Sequence, residues 1–289
     1  MIPQLIVSGM AVGILYGLVA LGVVLIFKST NILNFAHGEL AMVSTFFTYT
    51  LLTNFHLPYP LAVMITLLFA GLVGYGIERV ITRPFIGSPP MTVVIVTLGL
   101  FLLLGVVAMW IWGKDPLTFP PMIPDKPINI QGIVFSSLNL LILLISCILM
   151  FGLYLFFRFS KMGIAMRAVA DNMDGARLMG ISISRIFSLS WILANILGAI
   201  SGILLAPIIY LDTNMMVIII LKAFVAAVIG GFTSMPGAIV GGILLGIMEN
   251  FVGAFISSQF KNAFPFVIIL FALMIMPQGI FGQLRRKKI

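Results

Sequence analysis

Long apolar runs separated by short polar stretches occupy most of the sequence. They do not alternate apolar and polar residues with the period of two that marks a half-buried strand. Inside a lipid bilayer only helices and closed barrels satisfy the backbone hydrogen-bonding groups, so continuous apolar runs favour helices. The runs lie at about 4–27, 37–56, 61–80, 91–112, 138–157, 186–206, 217–232, 237–256 and 263–281.

These runs predict an all-α integral membrane protein, a polytopic helical bundle with about nine spans, because one crossing needs about 20 apolar residues. The run at 217–232 is short and contains Lys222. Since it is also compatible with a half-helix or a re-entrant element, the expected range is about eight to ten spans. With most residues used in crossings, the whole chain, 1–289, is expected to form a single transmembrane domain.

The composition narrows the class of protein. Hydrophobic residues make up 61% of the chain and charged residues only 8%, whereas a soluble domain carries about 25% charged residues. This composition excludes a soluble enzyme or a nucleic-acid-binding module. With one cysteine, two histidines and no phosphate-binding Gly-rich motif, the chain is expected to hold no metal and no cofactor and to hydrolyse no ATP itself.

Positive charges are distributed unequally between the two sides that alternating spans define. If the loop after the fifth run is cytoplasmic, twelve Lys and Arg residues lie inside and three lie outside. Such an excess is typical of cytoplasmic loops, so we expect the N-terminus outside and the C-terminus inside. The inside residues are Lys28, Arg79, Arg83, Arg158, Lys161, Arg167, Arg177, Arg185, Arg285, Arg286, Lys287 and Lys288. The outside residues are Lys114, Lys126 and Lys261.

Two loops have distinct patterns. Loop 113–137 contains five prolines, which disfavour a helix and favour an extended, stiff segment on the outer side. Loop 158–185 is the most polar part of the chain and predicts a short amphipathic helix at the membrane face. This helix is either a shield for the bundle or a docking element for a partner. Its apolar stripe is Met162, Ala165, Met166, Val169 and Met173, and its polar row is Arg167, Asp171, Asp174 and Arg177.

A polar interruption separates the first two apolar runs, between Lys28 and Leu40. Irregular backbone at membrane depth is tolerated only where protein or a cavity covers it. Glu39 is expected in the first turn of the second helix, where the helix dipole favours a negative charge. His37 and Glu39 are either a proton-relay pair or structural groups that bond the broken backbone.

A second interruption is rich in glycine and lies at about 230–237. Its glycines and proline permit a sharp reversal followed by close helix packing. The expected packing and hinge residues are Gly230, Gly231, Pro236, Gly237 and Gly241. Glycines at a spacing of four recur at Gly242 and Gly246 and, in the first run, at Gly9, Gly13 and Gly17.

Several polar groups inside or next to apolar runs are candidates for lining a transport path. Glu249 is either the counter-ion of Lys222 or part of a polar lining. From the residues alone, a permease driven by a partner and an ion-coupled carrier explain the chain equally well. The translocation-path candidates are Asn34, His37, Gly38, Glu39, Asn195 and Glu249.

Five segments together resemble one known family. They are 17–22, 34–40 (Asn-Phe-Ala-His-Gly-Glu-Leu), 163–172 (Gly-Ile-Ala-Met-Arg-Ala-Val-Ala-Asp-Asn), 224–232 and 236–238. Here the sequence resembles the permeases of bacterial branched-chain amino acid ABC importers, the LivH type. The similarity extends over about residues 5–280. Where the family often has proline after the Asp-Asn pair, this chain has Met173, which leaves the local helix boundary open.

The resemblance implies a permease of the bacterial cytoplasmic (inner) membrane that works by alternating access and is not itself an enzyme. Its implied substrates are branched-chain or related amino acids or amides, and an ion-coupled secondary amino acid transporter is the alternative. Its implied partners are a sister permease subunit, two cytoplasmic ABC ATPase subunits and an extracytoplasmic substrate-binding protein, with no nucleic acid. It also implies that 158–185 is a cytoplasmic coupling loop whose ATPase-coupling residues are Gly163, Met166, Arg167, Ala168, Ala170, Asp171, Asn172 and Gly180.

Overall fold

The chain is helical over most of its length in the computed structural model, which describes residues 2–130, 133–276 and 278–282. The all-α class predicted from the apolar runs is confirmed. The basic run Arg285–Lys288, predicted to lie inside, falls outside the described residues. The helices are α1 Ile2–Thr30, α2 His37–Thr53, α3 Tyr59–Ile77, α4 Pro90–Trp112, α5 Ser137–Phe159, α6 Lys161–Asp171, α7 Met173–Leu178, α8 Ile183–Ile209, α9 Met215–Gly230, α10 Met235–Phe255 and α11 Phe260–Ile275.

Each apolar run of the sequence corresponds to one helix. Helix α3 continues through a π turn at Glu78–Thr82 and a 3-10 turn at Arg83–Phe85. Within the described residues, six helices are long and apolar enough to cross a membrane, namely α1, α3 with its continuation, α4, α5, α8 and α10. Helices α9 and α11 are apolar but shorter, with 16 residues each.

The proline-rich loop has no helix among its described residues. It contains a small antiparallel hairpin of strands β1 Pro127–Ile130 and β2 Ile133–Ser136, in which Pro127 is paired with Ser136. The predicted extended character is therefore observed, while the hairpin was not anticipated. Further along the chain, α8 continues through Pro207 and ends at Ile209. Proline is tolerated in membrane helices where neighbouring groups satisfy the freed carbonyl.

The chain divides into two compact units. The first comprises Met1–Val24, Ile123–Ser146 and Ile219–Ile289, and the second comprises Leu25–Met122 and Cys147–Ile218. In the second unit, α8 is the central element and packs against α2 and α3. Small residues make this packing close, since a Cβ at Gly74 would lie 2.8 Å from the Trp191 carbonyl oxygen.

In the first unit, α1 and α10 pack through facing glycines. A Cβ at Gly9 would lie 2.7 Å from the Ile247 Cα, and one at Gly13 would lie 2.6 Å from the Gly242 carbonyl oxygen. Real Cβ atoms do not approach other atoms so closely, so only glycine allows the two backbones to meet here. The glycine spacing in these two helices, which is common by chance, therefore marks a real contact.

Candidate functional site

The polar interruption between α1 and α2 forms an irregular turn that is exposed at Asn31 and buried at Asn34 and Ala36. Helix α1 ends at Thr30, and Asn31 has a left-handed φ of 56°. The Asn34 side-chain oxygen accepts a hydrogen bond from the Ala36 N–H at 3.1 Å, which stabilises the turn into α2. Thr97 of α4 closes over the same segment by donating to the Leu33 carbonyl oxygen at 3.3 Å. Protein atoms thus cover the second half of the turn at Asn34 and Ala36, as the sequence predicted, but not Asn31.

His37, Gly38 and Glu39 form the first turn of α2 and are all buried. The His37 ring faces α8, where a Cβ on Gly198 would lie 3.2 Å from its Cε1 atom. Glu39 faces α4 instead, with its Oε2 atom 3.7 Å from the position of a Cβ on Gly105. Because residues two apart on a helix point in nearly opposite directions, the structure does not bring His37 and Glu39 together as a relay pair.

Among the described residues, several buried polar atoms around this turn have no hydrogen-bond partner. They are the Asn34 Nδ2 atom, both ring nitrogens of His37 and the Glu39 Oε2 atom. A buried polar group without a partner costs free energy, and such groups mark places where water, an ion or a ligand binds. The turn therefore offers both donors and acceptors to a small polar molecule.

Asn195, another path candidate, lies at the interface of α8 and α3. Its side-chain amide donates to the Trp191 carbonyl oxygen at 2.8 Å, one turn earlier in the same helix. Gly74 of α3 leaves room for it, since a Cβ there would lie 3.1 Å from the Asn195 Cβ. The observed contacts of Asn195 are thus those of helix packing.

Glu249, the last path candidate, lies in the first unit and is fully buried. It forms an ion pair with Lys222, as one of the two sequence interpretations predicted. Lys222 also donates to the Tyr16 hydroxyl at 3.2 Å and to the Asn262 side-chain oxygen at 3.4 Å. The cluster joins α1, α9, α10 and α11 through one buried ammonium group.

The glycine-rich interruption forms the predicted reversal between α9 and α10. Gly231 has a φ of +98°, a conformation that favours glycine. The Ser234 side chain caps α10 by accepting a hydrogen bond from the Gly237 N–H at 3.1 Å. Beyond the turn, a Cβ on Gly237 or on Gly241 would overlap the backbone of α9, at Gly230 and Ala226 respectively. Pro236 lies in the first turn of α10, where its missing N–H is not needed.

The polar loop 158–185 contains two short helices rather than one. Helix α6 ends where Asn172 becomes extended, with φ −154° and ψ 102°, and the Asn172 side chain caps α7 by accepting from the Gly175 N–H at 2.9 Å. The helix therefore breaks after the Asp-Asn pair even though Met173 replaces proline. Arg167, Asp171, Asp174 and Arg177 are all exposed, as the predicted polar row requires.

The predicted apolar stripe of α6 needs one correction. Met166 and Val169 are buried as expected, but Met162 is 45% exposed and Gly163 takes the buried position. Gly163 packs directly against the backbone of α5, where a Cβ would lie 2.6 Å from the Phe157 Cα. Because this contact requires a residue without a side chain, the buried face begins at Gly163 and not at Met162. Of the other coupling candidates, Ala168 and Ala170 are half-buried, whereas Gly180 is exposed and has a φ of +80°.

Sequence reasoning missed a polar contact between the end of α3 and the start of α8. Glu78 is buried and pairs with Arg83, and both bond to Ser188. The signal in the sequence was an acidic residue at the end of an apolar run, which is unusual in a membrane span. Within the described residues, no group of three or more His, Cys, Asp or Glu side chains is arranged to hold a metal ion.

The long apolar helices define the class of the chain as a multi-pass membrane protein. The sequence profile of the family described as "Branched-chain amino acid transport system / permease component" matches residues 5–273, and the chain belongs to this family. It is accordingly a multi-pass protein of the cytoplasmic membrane and a transport subunit.

Curated relatives match along most of their length. The "High-affinity branched-chain amino acid transport system permease protein BraD" of Pseudomonas aeruginosa is 30% identical over 99% of this chain and 97% of its own. LivH of Escherichia coli K12, which has the same description, is 28% identical over the same shares. The "Probable branched-chain amino acid transport permease protein LivH" of Methanocaldococcus jannaschii is 31% identical over 92% of this chain and 88% of its own. No solved structure matches the chain.

Proposed function

We propose that this chain is the membrane-spanning permease of an ATP-binding-cassette importer that carries branched-chain amino acids into the cell. Membership of the permease family over residues 5–273 carries this proposal. The relatives are described as permeases for branched-chain amino acids, which is the proposed substrate class. Related amino acids or amides are the alternative substrates. A permease component of a larger transport system depends on partners, which favours partner-driven import over the ion-coupled carrier.

The proposed partners are a substrate-binding protein, one sister permease subunit and two ATPase subunits. The exposed surfaces of helices α4 and α5 support the proposal that the chain is embedded in lipid or packed against a sister subunit. Their apolar outer faces are extensively exposed, with Trp110 88% and Phe151 63% accessible in the single chain. Apolar helix faces as exposed as these are covered by lipid or by another protein.

The proposed orientation has nine spans, with the N-terminus outside and the C-terminus inside. The distribution of Lys and Arg supports it, because cytoplasmic loops are enriched in these residues. In this orientation loop 113–137 meets the binding protein and loop 158–185 meets the ATPase. The one chain thereby contacts the amino-acid donor on one side and the energy source on the other.

The pair α6–α7 is proposed as the coupling element that the ATPase holds. Its polar row is exposed, and so are two apolar side chains that follow it, Leu178 at 89% and Met179 at 83%. Exposed apolar residues beside a charged row suit a helix that lies in a partner's groove. Gly163 and Asn172 set the geometry of this element, and Arg167 and Asp171 present its charge.

The turn around Asn34, His37, Gly38 and Glu39 is proposed as part of the solute path. Its unpartnered buried atoms include an amide donor and a carboxylate acceptor. These groups suit the carboxylate and ammonium of an amino acid, respectively. Asn195 and Glu249 are kept as secondary path candidates, since each already has a partner within its own unit.

The coupling role is tested by reversing exposed charges on α6. We expect Arg167→Glu and Asp171→Arg each to lower co-purification of the ATPase and ATP-dependent amino acid uptake by about tenfold, because docking charges of this kind carry roughly 1–2 kcal/mol. Membrane insertion should be unchanged, since both side chains are exposed. Co-purification, uptake and the amount of protein in the membrane are measured for each variant.

The matched control is Lys114→Glu, an exposed charge reversal in loop 113–137. This variant should retain the ATPase at the level of the unmutated protein. Normal ATPase binding and uptake in both α6 variants would contradict the coupling role. Uptake that persists without any ATPase and stops when the proton gradient is removed would contradict the importer itself.

A further inference from the structure

The missed contact between α3 and α8 begins with an unusually placed ion pair. The Arg83 Nε donates to Glu78 Oε1 at 3.0 Å, and one terminal nitrogen of the same guanidinium donates to Oε2 at 2.7 Å. Glu78 is only 1% exposed and the Arg83 side chain 26%. Arginine and carboxylate held by two parallel hydrogen bonds form the most geometrically defined type of ion pair.

The π turn at the end of α3 is what makes this pair possible. In an α-helix, residues five apart lie about 140° apart around the axis and do not face each other. Here the Arg83 backbone N–H bonds to the Glu78 carbonyl oxygen, which widens the turn and brings the two side chains to one face. Single π turns inside helices occur frequently at functional positions.

The pair is bonded directly to the first two turns of α8. The Ser188 hydroxyl donates to Glu78 Oε2 at 2.8 Å and accepts from the Arg83 guanidinium at 2.8 Å. Arg83 also donates to the Ser184 carbonyl oxygen at 3.4 Å. Glu78, Arg83 and Ser188 thus form a closed ring of hydrogen bonds, which we call the α3–α8 lock.

The position of this lock in the chain is informative. Helix α7 ends at Leu178 and α8 begins at Ile183, so the lock grips α8 just after the proposed coupling element. Helices α6 and α7 also pack against α8. A displacement of α6–α7 is therefore transmitted first to the part of α8 that the lock holds.

Elsewhere in their contact, α3 and α8 meet through glycines of α3. Gly71 faces apolar side chains of α8, and Gly74 faces the α8 backbone at Trp191. Packed helices can move past each other by small shear displacements. A buried bidentate pair fixed to the partner helix opposes such sliding.

We propose that Glu78, Arg83 and Ser188 are positioning residues that make α3 and α8 move as one body when the ATPase displaces α6–α7. This inference rests on the proposed function, because it requires an ATPase docked on α6–α7. Without the lock, ATP hydrolysis continues but part of each displacement is lost as sliding of α8 along α3. The lock therefore governs how much solute is carried for each ATP.

The test measures ATP hydrolysed per amino acid imported by the complete importer in proteoliposomes, with leucine as the solute. Ser188→Ala removes the bridging hydroxyl and leaves the ion pair, and Arg83→Lys keeps the charge but loses the paired hydrogen bonds. We expect the ratio of ATP hydrolysed to leucine imported to rise about three- to tenfold in both, which lies within the range of effects produced by substitutions between coupled sites. Ser188→Thr, which restores the hydroxyl, should return the ratio to normal.

Arg79→Lys is the matched control. Arg79 lies in the same π turn, and its hydrogen bond among the described residues is to Tyr75 of its own helix, at 3.0 Å. The ratio of ATP hydrolysed to leucine imported should therefore stay normal in this variant. An unchanged ratio of ATP hydrolysed to leucine imported in Ser188→Ala and Arg83→Lys would overturn the proposed role of the lock. A parallel fall in ATP hydrolysis and leucine uptake would also overturn it, because that is the result expected of a purely structural role. ATP-independent uptake by the unmutated importer would overturn the proposed function itself. Because it is measured without any substitution, this outcome is distinct from failure of the lock.

Discussion

At the scale of single residues, the buried ion pair of Lys222 and Glu249 is a contact on which several helices of the first unit depend. Both side chains are almost completely removed from solvent, and Tyr16 and Asn262 are the additional partners of Lys222. Charges in a membrane protein interior persist only when they are paired, because each isolated charge is costly in low dielectric. The pair therefore makes the packing of α1, α9, α10 and α11 depend on one contact.

Removing one partner of this pair is expected to destabilise the protein. Lys222→Met leaves the Glu249 carboxylate buried without its counter-ion and should lower the free energy of unfolding by about 3–5 kcal/mol. Thermal unfolding in detergent, followed by circular dichroism, measures the change. Lys222→Met combined with Glu249→Leu should recover part of the loss. Lys261→Met, which removes the hydrogen bond to Asn250, is the control. An unchanged unfolding midpoint in Lys222→Met would contradict the role of the ion pair.

At the scale of helices, glycine decides which backbones come into contact. The α1–α10 contact in the first unit and the α3–α8 contact in the second both use glycines that a Cβ would push apart. Without a hydrophobic driving force between helices in lipid, such close packing supplies much of the association energy. Gly152 of α5 lacks this role, because a Cβ added to it would meet none of the described residues within 4 Å.

This difference predicts opposite results for two similar substitutions. Gly13→Leu must separate α1 from α10, because a Cβ would lie 2.6 Å from the Gly242 carbonyl oxygen. It should cost at least about 1–3 kcal/mol, the usual effect of overpacking, and reduce the folded protein recovered from membranes. Gly152→Leu should be tolerated. Monodisperse protein after size-exclusion chromatography is the readout, and equal recovery of both variants would contradict the role assigned to Gly13.

At the scale of the whole molecule, the proposed orientation assigns opposite sides to the two long loops. Loop 113–137 carries an extended hairpin, and loop 158–185 carries the amphipathic pair α6–α7. Import coupled to an ATPase requires the second loop to face the cytoplasm, where ATP is present. The direction of the charge asymmetry is the physical basis of this assignment.

Labelling of single cysteines checks the orientation directly. Cys147 is the only cysteine in the sequence, so Cys147→Ser provides a cysteine-free background. In intact cells a membrane-impermeant maleimide should label Lys114→Cys and leave Arg177→Cys unlabelled, and both are exposed positions in the fold. After permeabilisation both should react, which controls for accessibility. Labelling of Arg177→Cys in intact cells would invert the topology and remove α6–α7 from the ATPase.

Much of the fold could be predicted from the sequence because membrane helices depend on local properties. A helix satisfies its own backbone hydrogen bonds, so the length of an apolar run determines where it forms. The nine runs, the break before His37 and the reversal at Gly231 all follow from residues close in sequence. The amphipathic character of 161–171 is equally local, since it depends on a period of 3.6 residues.

The tertiary structure alone decided which side chains far apart in the sequence come into contact. Lys222 bonds to Tyr16 and Arg83 bonds to Ser188 across more than a hundred residues of chain, and no local pattern encodes such pairs. The same applies to Gly163, which is buried in place of Met162 because the backbone of α5 lies against it. The sequence by itself determined the helices and the family, through local hydrogen bonding and apolar length. The three-dimensional packing determined the pairing of charges and the close glycine contacts, because these depend on helices that are far apart in the chain.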